Sequence, residues 1–175
     1  MIDPDTKNWT WVLERACPEC GFDTTLIQPD DVAALLLEQA EVWEGLLADG
    51  AIRPGRPDDA TWSTLEYACH VRDVLGKFIE RVDAMLEEDD PLFANWDQDA
   101  TAITDDYESQ DPRTVVADLA ERAVAFSLML SAVARETWLR PGRRSDGAAF
   151  TIATLVRYMI HDPIHHVDDV RRQLA

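Results

Sequence analysis

The feature that most constrains this chain is a three-to-four-residue spacing of apolar side chains, carried by four long stretches that turn residues separate. Such spacing lines one face of an α-helix, whereas a half-buried strand alternates every two residues. After Pro29, the segment from Asp30 places Val32, Leu35, Leu36, Trp43, Leu46 and Leu47 on one stripe and closes at Gly50. A turn-rich linker, RPGRPDD (53–59), follows. Ser63 with Glu66 reads as a capping box, each side chain satisfying an orphan backbone N–H at a helix start. The second stripe then carries Ala68, Leu75, Phe78, Ile79, Val82, Met85 and Leu86 and ends in EEDD before Pro91. Asp111-Pro112 supplies an N-cap and an N1 proline, opening a third helix through Val115, Leu119, Val124, Phe126, Leu130 and Val133. Beyond the turn RPGRRSDG (140–147), Thr151 caps a fourth helix, with Phe150 and Leu155 placed as a hydrophobic staple.

Sustained two-residue alternation is absent and β-branched runs are few, so the expected fold is all-α: a four-helix bundle with one long crossover. Residues 90–111 have no clear period and exceed the usual connection length. Their Phe93, Trp96 and Tyr107 predict an ordered loop packed over a site, with Trp96 and Tyr107 as pocket walls. The chain divides into an N-terminal leader, 1–28, and the bundle, 29–175.

A length of 175 residues, 46% apolar and 29% charged, suits a globular domain with a sizeable core. The formal net charge is −18, from 34 acidic against 16 basic side chains. So negative a surface repels phosphate backbones and anionic membranes, which argues against nucleic-acid and membrane partners. The amino terminus, MIDPDTKNWTW, lacks a secretory pattern, and no apolar run is long enough to span a bilayer. The expected location is the cytoplasm.

Three of the four histidines draw attention: His70 in the second helix, and His161 and His165 in the last. Residues at i and i+4 lie one above the other, so His161 and His165 point to one side of their helix. With His70 from a facing helix, three imidazoles would hold a divalent ion and leave a coordination position open. On a helical wheel of about 100° per residue, however, His161 and His165 fall nearly opposite the stripe of Ile152, Leu155, Val156, Met159, Ile160 and Val167. Either that helix is buried on two sides or the pair is solvated. Pro163 should kink the helix between them, and His166, off their face, reads as supporting. Glu66, Asp73, Asp162 and Asp169 are carboxylates near enough to orient a ligand imidazole.

Cys17-Pro-Glu-Cys20-Gly looks like one knuckle of a zinc ribbon whose second pair is missing. Three readings stand: a redox-active dithiol, a metal site completed by another residue or subunit, or inert thiols in a tight turn. Cys69, about 100° around the helix from His70, is expected in the core. Arg140, Arg143 and Arg144 cluster before the last helix, and guanidinium groups bind carboxylates bidentately. They are candidates for holding the carboxylate of a thiol cofactor or substrate, against a solvated turn.

From about residue 30 onward the chain resembles the DinB-like metal-binding four-helix bundles, a group that includes thiol transferases and mycothiol-dependent maleylpyruvate isomerase. The anchors are WSTLEYACHVRD (62–73), where a histidine follows a W-[ST] helix start, and YMIHDPIHHVDDVRRQL (158–174), where the family has H-x-x-x-H. The resemblance implies His70, His161 and His165 as ligands of zinc, nickel or a similar ion. It also implies transfer of a low-molecular-weight thiol to an electrophile or a thiol-assisted isomerisation. A metal-dependent hydrolase and a non-catalytic metal or redox sensor are the alternatives. Partners implied are a small-molecule substrate and a second copy in a homodimer. His165 is followed by His166-Val167-Asp168 where many members have Arg-Gly-Gln, and Pro163 is atypical.

Overall fold

The computed structural model describes residues 8–48 and 55–175. Its helices are α1 (Val32–Ala48), α2 (Thr64–Glu87), the short α3 (Gln98–Thr104), α4 (Pro112–Ser131) and α5 (Ile152–Leu174). The expected stop at Gly50 and the Arg53-Pro54 start of the linker lie outside the described residues.

The caps form as the sequence leads one to expect. Ser63 Oγ accepts the Glu66 N–H at 3.2 Å while the Glu66 carboxylate accepts the Ser63 N–H at 2.9 Å. Arg56 closes on the same carboxylate at 2.6 Å. Asp111 caps α4 with Pro112 in its first turn, and Thr151 exchanges bonds with Thr154 at the start of α5. The helix α5 continues unbroken through Pro163, whose carbonyl accepts the indole N–H of the fully buried Trp43 at 3.3 Å.

α1 packs against α4 and α5, and α2 packs against the same two helices. α1 and α2 therefore face each other across one diagonal of the bundle, and α4 and α5 across the other. Short loops would instead make them antiparallel neighbours, so this arrangement needs long connections. The core between the helices is filled by Trp43, Met85, Leu119, Phe126, Leu155 and Met159, all sealed from solvent. Among the described residues no helix is long and apolar enough to cross a membrane.

The connections hold a small sheet that the all-helical expectation did not include. β1 (Leu92–Phe93) pairs parallel with β2 (Pro141–Arg144), which pairs antiparallel with β3 (Ala149–Thr151). Its turn signal is Asp146-Gly147: Gly147 has φ +96°, and Asp146 accepts the Ala148 N–H at 3.1 Å. At Gly142 a Cβ would lie 2.7 Å from the Phe93 ring and 2.9 Å from Met85, so only glycine lets β2 approach the end of α2.

Tyr107 is a core residue and not the pocket wall expected. Fully buried, it donates from its hydroxyl to Asp73 Oδ2 at 2.5 Å. Arg72 and Arg122 reach Asp73 Oδ1 at 2.9 and 2.8 Å, and Arg72 also donates to Gln110 at 2.6 Å. One carboxylate thus ties the crossover to α2 and α4. Burial pushes the Asp73 carboxyl up, but Arg72, Tyr107 and Arg122 outweigh it and hold the group below its ordinary 3.8. Asp73→Ala leaves two guanidinium groups without their counter-charge and should cost about 3 kcal/mol in urea denaturation. A lowered folded pKa stabilises above the unfolded value and is lost as pH falls through the folded one. The gap between wild type and variant should therefore hold from pH 7 to about 5 and narrow below about 4.

Candidate metal centre

Helix α5 reads His161-Asp162-Pro163-Ile164-His165-His166 across its middle. Two i,i+4 lines lie side by side here, His161 with His165 and Asp162 with His166, about 100° apart. The structure sends them to different neighbours. On the α2 side, His70 Nε2 lies 3.3 Å and His166 Nε2 3.7 Å from Asp162 Oδ2. On the leader side, Cys17 Sγ lies 3.7 Å from His165 Nδ1, and Cys20 Sγ lies 3.7 Å from His161 Nε2. Within each group, one donor atom per residue lies within 4.8 Å of all the others.

The expected trio of His70, His161 and His165 is therefore divided, because His161 and His165 stand one helical step away from the line that faces His70. Asp162 and His166, read from sequence as supporting groups, are the residues that meet it. A signal existed: Asp162 and His166 follow Leu155 by seven and eleven positions, which sets them on the edge of the apolar stripe. The leader buries the other line. Its turn Trp9–Leu13 packs on α5, with the Trp9 ring 5.1 Å from His165 and 5.7 Å from His161. Of the two readings of those off-stripe histidines, burial on both sides is the one observed.

A cavity of about 150 Å³ is lined by His70, Asp162 and His166 and also by His161, His165 and Trp9. His70 is buried, its ring stacked flat on Trp96 at 5.5 Å and tilted against Trp62 at 5.1 Å. Trp96 is thus the wall that the crossover supplies. Among the described residues, His70 Nδ1 and Asp162 Oδ1 are buried without a hydrogen-bond partner. Burial pushes Asp162 up, but His70 and His166 beside it prevail and hold its carboxyl well below the usual range. Burial holds His161 down at about 4 and lowers His165 as well, so both imidazoles are neutral at pH 7. Burial raises the Tyr158 hydroxyl, which stays protonated although Arg144 opposes the shift.

The three arginines separate. Arg140 donates to the carbonyls of Met85 at 2.5 Å and Glu88 at 2.7 Å, closing the end of α2. Arg143 pairs with Asp90 at 2.9 Å on the surface. Only Arg144 lines the cavity, donating to the Tyr158 hydroxyl at 3.3 Å. Arg81, which no motif marked, lines it too. Cys69 is core, as expected, its thiol pushed up to about 12 by burial. Burial also pushes Cys20 up to about 11, which counts against an activated dithiol.

A family model described as the DinB superfamily matches residues 52–170, more than half of the chain. The chain belongs to the DinB superfamily. The matched span holds His70, His161, Asp162, His165 and His166, whereas Cys17 and Cys20 lie before it. Among solved structures, YfiT from Bacillus subtilis is similar, with a TM-score of 0.70 and 20% identity over 83% of this chain and 86% of that one. It is described as a probable metal-dependent hydrolase with an unusual four-helix bundle topology. The likeness is one of fold. No curated protein matches the chain.

Proposed function

We propose that this DinB-superfamily protein is a metal-dependent hydrolase of small anionic molecules, with His70, Asp162 and His166 as the ligands of its ion. The observation that carries the reading is two imidazoles and one carboxylate converging beside an aromatic-walled cavity that also presents arginine. Two histidines with one carboxylate are a donor set of open, reactive divalent sites. The residues fit that role, since the buried Asp162 Oδ1 is left without a partner by the protein itself. Zinc and nickel both accept such donors. A divalent ion held there supplies Lewis acidity and activates a nucleophile at neutral pH.

The chain's own groups do the rest. Trp96 and Trp62 clamp the His70 ring, so the donor is oriented before substrate arrives. Arg144 and Arg81 offer cationic anchors for a substrate carboxylate. Tyr158 accepts a hydrogen bond from Arg144 and keeps its own proton, so its hydroxyl can donate to a carbonyl or leaving group.

Hydrolysis is favoured over thiol transfer by size. Sites for drug-sized ligands run to roughly 300–1,000 Å³, while about 150 Å³ suits one small substrate better than a sugar-linked thiol with its electrophile. The hydrolase description of YfiT points the same way.

Tag-free protein loaded with zinc or nickel should hydrolyse members of a panel of small carboxylate-bearing amides and esters without added thiol. Asp162→Asn and His166→Ala should each lower kcat/KM by about 100-fold or more. Arg144→Gln should act mainly by raising KM. Turnover that requires thiol would replace hydrolysis by thiol transfer, and retained ion without turnover would make the protein a non-catalytic metal binder.

A further inference from the structure

We propose that Cys17, Cys20, His161 and His165 form a second, closed zinc site that staples the leader to α5. The family match begins after both cysteines, and the hydrolytic reading uses none of these four residues.

The distances suit one tetrahedral ion. With Zn–S near 2.3 Å and Zn–N near 2.0–2.1 Å, the sulfur-to-nitrogen edge of a tetrahedron is about 3.6 Å. Two such edges of 3.7 Å are present, each joining a different cysteine to a different histidine. Separate S–H···N contacts would account for each pair alone. They would not require all four donor atoms to gather within 4.8 Å, as they do.

The backbone around the cysteines is folded to present them. Cys17 N–H donates to the Phe22 carbonyl and Gly21 N–H to the Cys17 carbonyl, both at 2.8 Å, closing a tight knuckle. Gly21 has φ +76° with open space where a Cβ would be, so glycine serves the turn and not the packing.

The histidines are equally prepared. His165 turns Nδ1 toward Cys17, while its Nε2 lies 3.6 Å from Glu19 and 3.7 Å from Asp169. Carboxylates facing the far nitrogen favour a proton on it, which leaves the near lone pair for a metal. Cys17, His161 and His165 are all buried. Two thiolates neutralise a divalent ion, so the closed site would bury no net charge, and with four protein ligands it has no position for substrate.

The full chain should bind cobalt(II) with intense thiolate-to-metal charge-transfer bands and tetrahedral d–d bands. Those bands should be lost in Cys17→Ser and Cys20→Ser and kept in His70→Ala and Asp162→Asn, which empty only the cavity group. X-ray absorption of the zinc-loaded wild type, which needs no variant to fold, should show two sulfur and two nitrogen neighbours in the shell of the tightly held ion. A cobalt spectrum without thiolate bands, or a zinc shell of nitrogen and oxygen alone, would overturn the site. Failure of the cavity reading would instead show as one ion per chain, retained in His70→Ala and Asp162→Asn, with the thiolate bands intact.

Discussion

Between Ile152 and Leu174 a single helix has to satisfy α1 and α2 within the bundle and the leader outside it. Burial on both sides makes the middle of α5 a place where polar side chains must find partners or cost several kcal/mol. The chain meets that demand by placing two i,i+4 pairs one step apart. Each pair is completed from a different element: His70 from α2, and Cys17 with Cys20 from the leader. The geometry of the candidate chemistry is therefore a consequence of how α5 is packed.

The surrounding frame keeps that geometry in place. Trp43 reaches from α1 to the Pro163 carbonyl and so ties the helix at the level of its ligands. Asp73 gathers Arg72, Arg122 and Tyr107, which holds the crossover against α2 and leaves Trp96 stacked over His70. The small sheet, seated on Met85 through Gly142, brings Arg144 into the cavity wall while its neighbour Arg143 stays at the surface. Substrate anchoring and ligand orientation thus come from connections, while the helices supply rigidity.

The four long helices were legible because their apolar spacing and their caps at Ser63, Asp111 and Thr151 agree, and local signals of that kind survive packing. The sheet was not read, since its strands are two to four residues long and only Asp146-Gly147 announces it. In the site, His70 is visible as one donor, but the choice between His165 and His166 is a matter of helix phase. The H-x-x-x-H pattern favours the former, while the apolar stripe places Asp162 and His166 toward α2. Cys17 and Cys20 could be recognised as a knuckle, yet their partners lie more than a hundred residues away on a face that periodicity marks as polar. Long-range completion of that kind leaves no local trace.

The central claim is that α5 divides its donors between two ions. Anomalous diffraction from crystals grown with zinc tests it most directly. Two peaks are predicted, one enclosed by Cys17, Cys20, His161 and His165, the other bounded by His70, Asp162 and His166. A single peak shared by His70, His161 and His165, or density at neither group, would contradict the account.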